Sequence, residues 1–443
     1  MALRAHALID TVAALRKVRE TLRPPVLSVA AQPLLTPTFP ALRKNPMLSL
    51  IIALIAGPAP SCDPSAADVR AAGGEACARD WMDQTLDMTD IAVVGTHNSY
   101  KLAIPDAELA AMVAVNPGAR GLDYAHRPLT EQLDAGARQL EIDILHDPQG
   151  GRFARPLSAL GQPGSPVAVS DAFRRVMAQP GFKTLHMPDV DFRSSCLTFV
   201  ACLGEVRAWS DAHPDHVPIL IMLNAKTGQA SMPGGTALLD FDAGAWDALD
   251  AEIRSVFEED RLITPDQVRG GHATLREGVL AGGWPRLGEA RGKVFFALDE
   301  GPEKVADYAA GRPSLEGRVL FVNTDEDNPA AAYLTLNDPV AQQARIQAAV
   351  RQGFIVRTRA DADTVEARAA DTTRRRAAFA SGAQYISTDY LWADPRFPTY
   401  EVRLPDDMAA ACNPVRTGQR CGDLAVEWVM EAASRDRDAP SGE

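Results

Sequence analysis

An α/β fold of the (β/α)8 TIM-barrel type is what this sequence predicts, on three observations. Eight short apolar runs of strand length recur between residues 91 and 387, helix-like segments separate several of them, and each run gives way to polar side chains at its carboxyl end. Alternating strands and helices over about 300 residues suit such a barrel, whose typical length is ~250 residues.

The expected strands are Ile91–Val94, Arg138–Ile144, Lys183–Leu185, Ile219–Leu223, Val294–Leu298, Val319–Val322, Phe354–Val356 and Tyr385–Ser387. Expected helices include Leu203–Ala212, halted by Pro214, Trp246–Glu259, ending before Pro265, and Ala341–Gln352, stopped by Gly353, because proline and glycine cannot continue a helix cheaply. In chain order the strand ends carry His97 and Asn98, Glu141 and Asp143, His186, Asn224 and Lys226, Asp299, Asn323 and Asp325, Arg357 and Arg359, and Asp389. In a barrel these ends converge on one face, where sites are built. A polar group at one strand end means only solvation; polar groups at all eight, with two histidines among acids, predict a site.

Two stretches sharpen that prediction. In "VVGTHNSYKL", residues 93–102, β-branched residues and a glycine end in a histidine and an asparagine, which reads as a strand opening into a loop. In "QLEIDIL", residues 139–145, alternation along a strand sets Glu141 and Asp143 on one face and Leu140, Ile142 and Ile144 on the other. Two inward carboxylates repel unless a proton or a cation relieves them. A hard cation such as Ca2+ would do so, with asparagine oxygens as further ligands. An ion pair with an arginine such as Arg138 or Arg357 would serve equally, and spacing alone leaves both readings open.

Composition narrows the function. The chain of 443 residues carries a formal charge of -13 and has no basic cluster, which argues against a nucleic-acid partner and suits a metal cation. Arg43 and Lys44, the apolar run Leu48–Ala56 and the small residues up to Ser61 read as a signal segment around 43–61, too short to span a bilayer, so an exported protein, periplasmic or extracellular, is expected. The six cysteines fall into close pairs, Cys62–Cys77, Cys196–Cys202 and Cys412–Cys421, as local disulfides in an oxidising compartment would; a lipid anchor at Cys62 ranks below the disulfide. The expected organisation is a leader over 1–61, a disulfide segment over 62–84, a barrel over 85–404, and a C-terminal disulfide loop with a flexible tail over 405–443.

"GTHNSY", "LEID", "GFKTLHMPDVDFRSSCLTFVACLGEVRAWSDAHPDHVPILIML", "VRTRAD" and "SGAQYISTDY" occur in this order between about residues 85 and 400. Together they resemble the bacterial calcium-dependent phosphatidylinositol-specific phospholipase C family, within the wider superfamily of phosphoinositide phospholipase C-like barrels. The resemblance implies that His97 and His186 are the catalytic histidines, the first stabilising the pentacoordinate phosphoryl group. It implies calcium ligands at Asn98, Glu141 and Asp143. The superfamily's fourth acidic ligand has its counterpart at Asn224, which removes one charge from the site, with Lys226 two residues on.

The chemistry suits these residues. In an inositol phospholipid the 2-hydroxyl lies beside the phosphodiester, so internal attack needs a base, an acid for the leaving glycerol and positive charge for the phosphoryl oxygens. Histidines titrate near neutrality, and Lys226, Arg357, Arg359 and Asp389 are candidates for binding phosphate or head-group hydroxyls. His146 is the competitor of His186; His213 and His216, flanking Pro214, are expected in solvent. Asp191 is a candidate to orient His186, and Asp189 is read as a helix cap.

The expected reaction is cleavage of a phosphatidylinositol-like substrate to a cyclic inositol phosphate and diacylglycerol. The alternatives are a glycerophosphodiester phosphodiesterase and a noncatalytic module binding polyol or inositol head groups. Residues 101–128 and 148–180 are expected to set head-group choice, and neither shows an apolar ridge for a membrane. A monomer making at most transient contact with a membrane surface is expected.

Overall fold

A computed structural model describes residues 74–157, 169–230, 233–418, 420–421 and 424–429. The expected leader, Cys62 with its pairing to Cys77, and the tail from residue 430 lie outside them. Eight parallel strands form two hydrogen-bonded arcs: β1 (Ile91–Thr96), β8 (Tyr385–Thr388), β7 (Ile355–Arg359) and β6 (Tyr333–Thr335) in one, and β2 (Gln139–Leu145), β3 (Ile219–Lys226), β4 (Val294–Leu298) and β5 (Leu320–Val322) in the other. The arcs meet at two seams. At β1/β2 the Arg138 amide donates to the Val94 carbonyl at 2.9 Å, and at β5/β6 Asn323 bridges Tyr333 in parallel. Going round, the order is β1 to β8, the order of a (β/α)8 barrel.

Gly95 makes the first seam possible. A side chain there would come within 2.4 Å of Gln139. Every residue of β2 and β4 is buried, as expected of strands covered on both faces. Helix α1 (Gly74–Thr85) precedes the barrel, and α2 (Asp106–Val115) follows β1. Helix α3 (Phe199–Ala212) shows the packing logic: Phe199, Cys202, Leu203, Val206 and Trp209 recur at helical spacing and are buried, while the Thr198 hydroxyl caps the first turn by accepting from Ala201.

Two expectations about strands are corrected. Lys183–Leu185 is no barrel strand: Lys183 pairs antiparallel with Leu145 at the end of β2 and with Thr198. The parallel neighbour of β2 is β3, so "FKTL" is a loop laid over the end of β2, its buried lysine held by Asp147 at 3.4 Å. The missing strand is β6, in "AAYLTL", reached from β5 through a loop rather than a helix; alanines before it mask the β signal.

The C-terminal segment extends the sheet. Strand β9 (Met408–Cys412) pairs antiparallel with β1, and β10 (Ala425–Trp428) pairs with β9. Disulfides join Cys196 to Cys202 and Cys412 to Cys421. Among the described residues no helix is long and apolar enough to cross a membrane.

Candidate active site

The site is built where β1, β2, β3, β7 and β8 end. His97 follows β1, and its main-chain amide donates to the Thr388 carbonyl of β8 at 3.0 Å, so the backbone fixes where the ring starts. Its Nδ1 lies 2.7 Å from Asp389 Oδ1 and its Nε2 lies 3.6 Å from Glu141 Oε1. A carboxylate only accepts, so Nδ1 carries the proton and Nε2 is left with a lone pair toward the site. Burial, then the Arg359 and Arg357 charges, hold the imidazole well below its usual value and hence neutral.

Asp389 is itself buttressed. Arg359 Nη2 reaches its Oδ2 at 3.2 Å, and its amide donates to Asp361 at 2.8 Å. Burial and the Asp389 charge push Asp361 up to about 7. Two buried acids therefore stand behind His97 beside one guanidinium, and burial raises Asp389 too, against the pull of Arg359.

The second histidine has the same construction. His186 Nδ1 lies 2.8 Å from Asp191 Oδ2, and the ammonium of fully buried Lys101 lies 3.4 Å from that same oxygen. Lys101 also donates to the carbonyls of Leu122 and Tyr124 at 3.0 and 2.9 Å. The His186 charge is among those that lower His97, so the two imidazoles lie within electrostatic reach of one another. His146 does not join them: it stacks on Phe182 with centroids 5.4 Å apart and also packs on Phe241.

The acidic pair stands beside the first dyad. Glu141 Oε2 accepts from Arg357 Nη2 at 2.6 Å, and its Oε1 accepts from Asn224 Nδ2 at 3.3 Å. Burial pushes Glu141 up to about 7 even so, because Asp143 and Asp299 add negative charge against that of Arg357. Asp143 pairs with Asn224 in the β2/β3 register. Lys226 Nζ stands 3.0 Å from its Oδ2, yet neither oxygen accepts a hydrogen bond of good geometry within the described protein.

Asn98 adopts the left-handed conformation, φ 49°, which asparagine tolerates better than most residues. Its Nδ2 donates to the Tyr124 hydroxyl at 2.8 Å, which turns Oδ1 toward Tyr100, whose hydroxyl is 3.5 Å away and feels the Asp143 charge. Asn98, Glu141, Asp143 and Asn224 are the oxygen-bearing side chains at these strand ends, with Asn224 and Asp143 paired in the β2/β3 register and Asn224 bonded to Glu141. Oxygen donors with two carboxylates suit calcium, and the unsatisfied Asp143 oxygens are the part of the site that fits a cation best. No group of three or more His, Cys, Asp or Glu side chains is placed to hold a metal among the described residues; two of the four candidate donors here are amides.

Sequence reasoning missed four residues of this site. Tyr124 stacks on His97 at 5.8 Å, its hydroxyl oxygen 3.2 Å from Nδ1. His126 lies 2.7 Å from the His97 carbonyl, with burial lowering it to about 4. Lys101 and Asp361 support the two aspartates. Tyr124 and His126 come from the loop 101–128, which carries no strand signal, and nothing local marks them. Lys101 left one trace, a lysine inside the apolar start of "SYKL". Asp191 does orient His186, whereas Asp189 accepts from the Leu157 and Thr236 amides and ties loops together rather than capping a helix.

One surface expectation is corrected as well. His216 is buried, bonded to Ser210 and Val217 at 2.7 Å each, because it closes the turn that follows α3. Helix α2, "DAELAAMVAV", has no buried residue and leaves Val115 89% exposed. Beside it, Tyr124, His126, Asp389, Trp392 and Arg396 help line a cavity of about 460 Å³.

A barrel with histidines, carboxylates and guanidinium groups gathered at its strand ends defines the class of phosphodiesterase barrels. The model of the Ca2+-dependent phosphoinositide phospholipase C family matches residues 86–414, and the chain belongs to that family. Among solved structures it is similar to a calcium-dependent phosphoinositol-specific phospholipase C from Pseudomonas sp., at 17% identity, covering 75% of this chain and 96% of that one with a TM-score of 0.47. A myo-inositol complex of the Pseudomonas enzyme matches at 17% identity over 74% and 95% of the chains, TM-score 0.46. The calcium-dependent enzyme from Streptomyces antibioticus matches at 20% identity over 69% and 95%, TM-score 0.43. No curated protein matches.

Proposed function

We propose that this protein is an exported, calcium-dependent enzyme that cleaves a phosphatidylinositol-like lipid to a cyclic inositol phosphate and diacylglycerol. The observation that carries the reading is the pair of histidine–aspartate dyads, His97–Asp389 and His186–Asp191, with Glu141 3.6 Å from the first ring. His97, neutral and with Nε2 free, takes the proton of the inositol 2-hydroxyl as its oxygen bonds to phosphorus. His186 gives a proton to the glycerol oxygen as its bond to phosphorus breaks. Each aspartate fixes its ring at Nδ1 and stabilises the charge that the ring gains or brings. Arg359, 13% exposed at its side chain and beside His97, meets the phosphoryl oxygens. Asn98, Glu141, Asp143 and Asn224 are the oxygen donors for calcium, which when bound supplies further positive charge for those oxygens.

The lipid reaches the site from a membrane surface, and α2, apolar and next to the mouth, is the element that touches it. The signal segment would direct export, and the disulfides Cys196–Cys202 and Cys412–Cys421 support an oxidising compartment. The test is product analysis on phosphatidylinositol vesicles with calcium and with a chelator. A cyclic inositol phosphate formed only with calcium is expected. Glycerol phosphate without a cyclic product would favour a glycerophosphodiesterase, and inositol binding without turnover a noncatalytic module.

A further inference from the structure

The acidic pair already holds two cations of the protein itself. Arg357 is locked: it is buried, bonded to Glu141 at 2.6 Å, to Asn337 at 2.6 Å and to Ser387 at 3.0 Å, so it has no room to leave. Lys226 differs in each respect. It sits two residues past Asn224 at the end of β3, its side chain is 30% exposed, and it pairs with Asp143 at 3.0 Å. Its ammonium is on a flexible stem and also feels Glu141 and Glu300, the latter bonded to Lys304 beside the Ala225 carbonyl. A cation bound between Glu141 and Asp143 would meet that ammonium at one of its own ligands.

We propose that Lys226 is a tethered cation that occupies the Asp143 side of the metal site and has to swing away, toward Glu300, for calcium to bind. This rests on the calcium reading given above. Two consequences of the geometry follow. The chain's affinity for calcium is set by competition between the ion and its own lysine, so removing the lysine strengthens binding even though Asn224 supplies one charge fewer than an acid would. A released ammonium at the mouth is then free for an anionic group of the substrate, which couples ion binding to the place where a phosphodiester would sit.

The experiment is calorimetric titration of the full protein with Ca2+, comparing wild type with Lys226→Met and with Lys304→Met. Lys304 is the control, a cation on the same rim that bonds Glu300 at 2.8 Å and the Ala225 carbonyl and touches neither acid of the pair. Lys226→Met is expected to bind calcium ~10-fold or more tightly than wild type, equivalent to displacing one ion pair, with Lys304→Met changing affinity less. Equal or weaker binding in Lys226→Met, an equal gain in both variants, or no calcium binding in any of the three would overturn the proposal. Turnover of wild type in chelator, measured separately, distinguishes a failure of the calcium reading itself, since cleavage without calcium leaves the titration result to speak for Lys226 alone.

Discussion

Two buried arginine–glutamate pairs stand at opposite ends of this barrel and behave differently. At the amino-terminal ends of β2 and β3, Arg138 clasps Glu427 of β10, donates to the Leu133 and Ala137 carbonyls at 2.8 and 2.7 Å and lies over the Trp209 ring. Glu427 also accepts from the Val217 amide at 2.8 Å. Burial would raise that carboxyl, but Arg138 and the amide hold it below its usual range. At the mouth, Glu141 has Arg357 but two more acids near it, and it rises to about 7. The first pair is satisfied on every side and locks structure. The second is left in electrostatic tension by the acids beside it.

The contrast can be broken by mutation at either end. The largest effect should fall at the mouth: His97→Ala is expected to lower turnover ~10²- to 10⁴-fold, the scale of a positioned acid or base, with little change in melting temperature; steady-state kinetics beside thermal unfolding checks both. At the base, Glu427→Ala leaves Arg138 buried without its partner and should cost about 3–5 kcal/mol of stability. Denaturant unfolding measures that loss, and turnover of the remaining folded protein should stay close to wild type.

A pH experiment sharpens the same comparison. His216, on the structural side, is lowered by burial to about 4 from 6.5, so the folded protein favours its neutral form. Its contribution is therefore complete above about pH 6.5 and is lost as pH falls toward 4, at most about 3 kcal/mol in all. A His216→Gln variant should show a flatter acid limb in unfolding free energy than wild type. The smallest effect concerns α2: Val115→Asp should weaken sedimentation with phosphatidylinositol vesicles several-fold while leaving cleavage of a soluble substrate unchanged.

How much of this was legible in the sequence follows from what each residue depends on. Strand ends whose chemistry is local were readable: His97, Asn98, Glu141, Asp143, Asn224 and Arg357 all sit where apolar runs stop, and the structure brings them together. The ion pair of Glu141 with Arg357 was one of two open readings of "LEIDIL", and distance along the chain, 216 residues, hid which one holds. Lys183–Leu185 misled because three buried residues in a loop look like a short strand, while β6 was hidden by alanines. Tyr124, His126, Lys101 and Asp361 act through contacts that only the fold creates, so no local pattern announced them. The base lock was invisible for the same reason, since Glu427 lies 289 residues from Arg138.

The central claim is that two histidine–aspartate dyads share one phosphodiester. The most direct measurement is turnover of His186→Ala on phosphatidylinositol, alongside its melting temperature and its affinity for calcium. A loss of ~10²-fold or more with folding and ion binding preserved is the predicted result. Near wild-type turnover in that variant would contradict it.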